Sequence, residues 1–116
     1  SITLDDLKTA IINAHKRGVA VRVISDDDQS ERAGSDVEAM AKAGVPVRTD
    51  RSESHMHWKA CIVDSTTLLS GSLNWTLAGI TRNRENVIIT QDAGLSAAFT
   101  DRFNAMWEEF AGNTVA

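Results

Sequence analysis

His57 and Lys59 are separated by one residue, Asp64 follows after four more, Gly71-Ser72 after a further six, and Asn74 lies two residues beyond Ser72. The residue types are suited to an anionic reaction centre. An imidazole nitrogen can act as a nucleophile or carry a proton, an ammonium can face negative charge on oxygen, and a side-chain amide can donate to the same oxygens. On an extended segment, side chains alternate with period two, so His55, His57 and Lys59 project from one face. His55 either joins this group or flanks it. Gly71 lets the backbone turn and approach a ligand closely, and the Ser72 hydroxyl can orient a neighbouring group or water.

These residues need a scaffold, and the flanking sequence supplies alternating helix and strand patterns. Thr3 can cap a helix with Leu4, Leu7, Ala10, Ile11 and Ala14 on one side, ending after Lys16 and Arg17 at Gly18. Val19 to Ile24 reads as a buried strand, rich in β-branched residues. Ser35 or Asp36 can cap a short helix that Gly44 ends, and Val45 to Arg48 reads as a short strand with Pro46 near its entry. His55 to Val63 and Leu68 to Ser70 form the arms of an expected hairpin turning at Ser65 to Thr67. Trp75 to Ile80 suggests a short helix and Val87 to Thr90 a further buried strand. Leu95, Phe99, Phe103, Met106 and Phe110 recur at helical spacing and predict a core-facing final helix. The expected fold class is α/β, a mixed β-sheet flanked by helices, in one domain spanning residues 1–116. The chain opens on Ser1, directly into a helix. One or two N-terminal strands of the complete fold, and any targeting signal or anchor, are therefore expected upstream.

The spacing H-x-K-x4-D-x6-G-S-x-N, complete from His57 to Asn74, resembles the signature of the phospholipase D superfamily. Six identities at fixed spacing would arise by chance in a given register roughly once in 10^8 at ordinary residue usage. The resemblance continues through Trp75, Arg84-Glu85-Asn86-Val87 and Trp107. It looks like the Zucchini or mitochondrial cardiolipin hydrolase branch, with bacterial Nuc-type endonucleases carrying a single motif as relatives. It implies a phospholipase-D-like sandwich and a phosphodiesterase that needs no catalytic metal or other cofactor. His57 would attack phosphorus to give a phosphohistidine, which water then hydrolyses. Lys59 and Asn74 would bind the phosphate oxygens with help from Ser72, while Glu85 would hold the histidine and fix its tautomer. Asp64 and Gly71 take supporting roles. Because the motif occurs once, the resemblance also implies a homodimer in which the second His57 serves as the general acid.

The substrate is less constrained. A single-stranded nucleic acid, cut by an endonuclease, is the first reading, supported by Arg48, Arg51, Lys59, Arg82 and Arg84 near the motif. An anionic phospholipid is the second, through hydrolysis of cardiolipin to phosphatidic acid. A dimeric phosphate-binding module without activity is the third. The net charge of −4 argues against a generally basic nucleic-acid binder, and acids crowd the stretch from Asp26 to Glu38. Trp58 and Trp75 could stack on bases, or pack in the core or at a dimer interface. The apolar share of 42% and charged share of 24% are those of a globular protein. The one cysteine, Cys61, has no partner for a disulfide and is expected to be a buried thiol. By resemblance alone, the site of action is the mitochondrial outer membrane, reached through an anchor not visible in these residues.

Overall fold

A computed structural model describes residues 5–25, 31–50, 58–73, 75 and 80–115. The first helix, α1 (Asp5–Lys16), begins with Asp5 and Asp6 and ends with His15 and Lys16, so charge at each end opposes the helix dipole. Gly18 follows at φ +93° and closes the helix, as expected. The expected cap, Thr3, lies outside the described residues. His15 is half-buried, its ring close against Gly44.

Strands β1 (Val23–Ser25) and β2 (Val47–Thr49) pair in parallel, with helix α2 (Glu31–Lys42) between them in the chain. Val23, Val37, Met40, Val45 and Val47 form the core of this unit, with Ile11 and Ile12 of α1 packed against it. The β-branched run from Val19 does not form a strand along its whole length. Only Val23 to Ser25 pair, because the partner strand begins after Pro46, whose carbonyl accepts from the Val23 amide at 3.0 Å and which has no N–H of its own to extend the ladder. Val19 is accordingly 49% exposed. Helix α2 starts at Glu31, ahead of the expected caps at Ser35 and Asp36. Asp36 instead lies buried inside it and binds Lys8 of α1 at 3.1 Å. Lys8 also reaches Asp5 at 3.1 Å, and the bonds to Asp5 and Asp36 hold its ammonium above the usual lysine range.

The second sheet is antiparallel, in the order β3 (Ala60–Val63), β4 (Thr67–Gly71), β5 (Val87–Thr90). Its first turn places Asp64 and Ser65 at φ 55° and 57°, with the Thr66 amide bonded to the Val63 carbonyl at 3.1 Å. Aspartate tolerates that left-handed backbone better than most residues, which gives Asp64 a local structural role at the hairpin tip. The sheet face bearing Ala60, Ile62 and Leu68 turns towards helix α3 (Ala93–Glu109), and Leu68 is 3% exposed. The opposite face is apolar and open among the described residues. Cys61, Val63 and Ile89 lie exposed on it, so the cysteine is not the buried thiol expected, although apolar surroundings push its thiol up. β5 is likewise an exposed edge rather than a buried strand.

Helix α3 joins the two sheets. Asp92 caps it through the Leu95 amide at 2.8 Å, and the buried Ser96 hydroxyl donates to the Thr66 carbonyl of the hairpin at 2.9 Å. Its far end reaches the parallel pair. Arg48 of β2 lies with its guanidinium 4.0 Å from the Trp107 ring centre and donates to the Trp107 carbonyl, and the Val115 amide donates to the Val47 carbonyl at 2.9 Å. Met106, Trp107 and Phe110 are buried, whereas Leu95, expected in the same stripe, is 50% exposed and Ser96 takes the inward position. The architecture is thus α/β, with parallel and antiparallel pairing and helices flanking the sheets. No helix among the described residues is long and apolar enough to cross a membrane.

Candidate active site

In an antiparallel sheet, the start of β3, the end of β4 and the start of β5 lie at one end. That places Lys59, Gly71-Ser72 and Glu85-Asn86 at a common corner, with Asp64 at the opposite end of β3, roughly 16 Å from Lys59 at the usual rise per strand residue. Lys59 is half-buried and immediately precedes β3 rather than lying within it. Its neighbour Trp58 stacks on Phe99 of α3, ring centres 5.1 Å apart and planes 18° apart. Trp58 is therefore a packing residue that fixes the entry to β3, and the base-stacking reading loses it. Trp75 is half-buried.

The β4–β5 ladder continues one pair beyond Gly71. The Ser72 amide donates to the Asn86 carbonyl at 2.9 Å, and the Asn86 amide donates to the Ser72 hydroxyl at 3.0 Å. At Gly71 the strands come so close that an added Cβ would lie 1.9 Å from the Asn86 carbonyl oxygen, so glycine is needed here for space. The Ser72 hydroxyl donates its one proton to Glu85. The other oxygen of that carboxylate, Oε1, accepts from the Asn83 amide at 3.2 Å. Arg82 and Arg84 are exposed on the same loop. Arg48, counted with them from the sequence, is instead laid over Trp107.

His57 and Asn74 lie outside the described residues, as do His55 and Arg51. Of the expected site residues, the structure brings together Lys59, Gly71, Ser72 and Glu85 and leaves Asp64 apart. Sequence reasoning missed Asn83 and the Asn86 backbone. Asn83 stands two residues before Glu85, but nothing in its type or spacing distinguishes it from an ordinary loop asparagine.

Comparison with known proteins agrees with the motif. The family described as "Cardiolipin synthase, PLD-like domain" matches residues 1–107. Mitochondrial cardiolipin hydrolase of Chlamydomonas reinhardtii is 43% identical over 110 residues, covering 95% of this chain and 49% of that protein. The Homo sapiens protein of the same name is 44% identical over 104 residues, covering 90% of this chain and 41% of its own. The chain therefore spans about half the length of these relatives. Nuc from Salmonella typhimurium, a phospholipase D family member of known crystal structure, superposes with a TM-score of 0.83 at 32% identity, covering 98% of this chain and 74% of that one. NucT from Helicobacter pylori, at 19% identity and a TM-score of 0.76, shares the fold. With the H-x-K-x4-D-x6-G-S-x-N motif complete in its sequence, Lys59, Gly71 and Ser72 at one end of the antiparallel sheet, and a family match across most of its length, the chain belongs to the PLD-like domain family of the phospholipase D superfamily.

Proposed function

We propose that the chain is a phosphodiesterase domain working through a phosphohistidine, with single-stranded nucleic acid as its substrate. The observation that carries this reading is the end of the antiparallel sheet that holds both Lys59 and the Ser72–Glu85 pair. Neutral His57 attacks phosphorus in line, forming a P–N bond as the P–O bond to the leaving alkoxide breaks. Lys59 and Asn74 donate to the non-bridging oxygens, where charge builds up. Glu85, held by Ser72, accepts from the other imidazole nitrogen and stabilises the cation that forms. The leaving oxygen takes its proton from His57 of the partner subunit, and water then cleaves the P–N bond and regenerates the histidine. The Lys59 ammonium and the Asn74 amide provide the electrostatic stabilisation, so no divalent ion is needed. The homodimer belongs to the same proposal, because one motif supplies one histidine and the reaction uses two.

Exposed Arg82 and Arg84, flanking Asn83 beside the corner, favour a polyanion that runs past the site. The second reading is cardiolipin hydrolysis at the mitochondrial outer membrane, favoured by the names of the relatives from Chlamydomonas reinhardtii and Homo sapiens. Labelled single-stranded RNA and cardiolipin vesicles, each incubated with the protein in EDTA, separate the two. Cleaved RNA with intact cardiolipin is the expected result, with Arg82→Ala and Arg84→Ala each lowering the salt dependence of RNA binding. Phosphatidic acid released without RNA cleavage would replace the nuclease reading by the lipid one. Binding of either substrate without turnover would favour the inactive phosphate-binding module.

A further inference from the structure

Glu85 is held from both sides. A carboxylate that touches one partner can still swing about its side-chain bonds; one whose two oxygens are each held by a separate donor cannot. Ser72 occupies Oε2, and its hydroxyl is itself pinned by the Asn86 amide at 3.0 Å in a ladder pair closed by the 2.9 Å bond from the Ser72 amide to the Asn86 carbonyl. Asn83 occupies Oε1 at 3.2 Å. The two supports differ in kind: Ser72 belongs to the sheet, whereas Asn83 belongs to the exposed loop that carries Glu85. Each carboxylate oxygen has a further acceptor position, so both donors can stay in place while an imidazole N–H binds.

We propose that Asn83 is a positioning residue for the reaction, acting through Glu85 by locking the carboxylate in the orientation that receives the histidine. The inference rests on the positioning role given to Glu85 above. A purely local alternative exists, because a bond between residues two apart also shapes the turn. The two differ in what they couple to. A bond that only shapes the turn shows in the stability of the loop and therefore in the melting temperature, whereas a positioning bond shows in kcat at an unchanged melting temperature.

The test uses bis(p-nitrophenyl) phosphate, a diester that reports the bond chemistry without regard to the natural substrate. Asn83→Ala should lower kcat about tenfold, the effect typical of removing a supporting partner, with KM and melting temperature unchanged. Asn83→Asp, which keeps the shape but loses the donor, should lower kcat at least as far. Combined with Glu85→Ala, Asn83→Ala should cost nothing further. Wild-type kcat in Asn83→Ala, or a loss that multiplies with that of Glu85→Ala, would overturn the proposal while leaving Glu85 its role. Wild-type kcat in Glu85→Ala alone would remove the Glu85 reading itself, and Asn83 with it.

Discussion

Gly71→Ala should unfold the corner that holds the site, lowering the melting temperature by roughly 10 °C or more and abolishing turnover. The added Cβ would lie 1.9 Å from the Asn86 carbonyl oxygen, 2.8 Å from the carbonyl carbon and 3.0 Å from the Val87 Cα. All three are backbone atoms of the adjacent strand. No rotamer change can relieve the contact, so β4 and β5 have to separate where Ser72 and Asn86 exchange their bonds. Overpacking in a rigid setting costs about 3 kcal/mol or more, and for a domain of this size that corresponds to a shift of this order. Thermal unfolding followed by circular dichroism checks the size. The adjacent exposed substitution Arg84→Ala serves as control and should leave the melting temperature within a degree or two.

The second large effect is expected at Lys59. Removing the ammonium in Lys59→Ala should lower kcat by about 10²–10³, the loss seen when one donor to a developing oxyanion is removed. KM should change much less if the charge matters mainly in the transition state. Lys59→Arg should recover only part of the rate, because a planar guanidinium on a longer side chain places its donors differently. Steady-state kinetics on the diester, with melting temperatures measured in parallel, separates this from damage to the entry of β3. A fall in kcat matched by an equal fall in stability would point to the strand rather than the chemistry.

The chemical motif was the most legible part of the sequence, because its signal lies in residue types at fixed spacing and needs no knowledge of the fold. The end of α1 at Gly18, the hairpin turning near Asp64 and Ser65, and the existence of strand β5, though not its exposure, could also be read, since each depends on local backbone preferences. What escaped reading depended on partners far along the chain. The run from Val19 carries strand propensity throughout, but a strand needs a partner, and the one available begins only after Pro46. Helix α2 starts at Glu31, ahead of Ser35 and Asp36, because a cap-type residue read from sequence carries no sign of the distant partner that lets it sit inside a helix. Lys8, 28 residues away, gives Asp36 a different function. The Glu85–Ser72 pair is equally hidden, 13 residues apart and joined only through the β4–β5 register. Leu95 and Ser96 show the limit of hydrophobic spacing: the polar residue is buried because the hairpin offers its hydroxyl a carbonyl acceptor.

The most direct test is to trap the intermediate. A diester labelled with ³²P, mixed with the protein in EDTA and quenched in alkali within the first turnover, should leave label on the chain that is stable to base and lost in acid, as expected of a phosphohistidine. The label should map to the peptide carrying His57 and be absent from His57→Asn, where turnover should also cease. Label on another residue, or undiminished turnover by His57→Asn, would contradict the account.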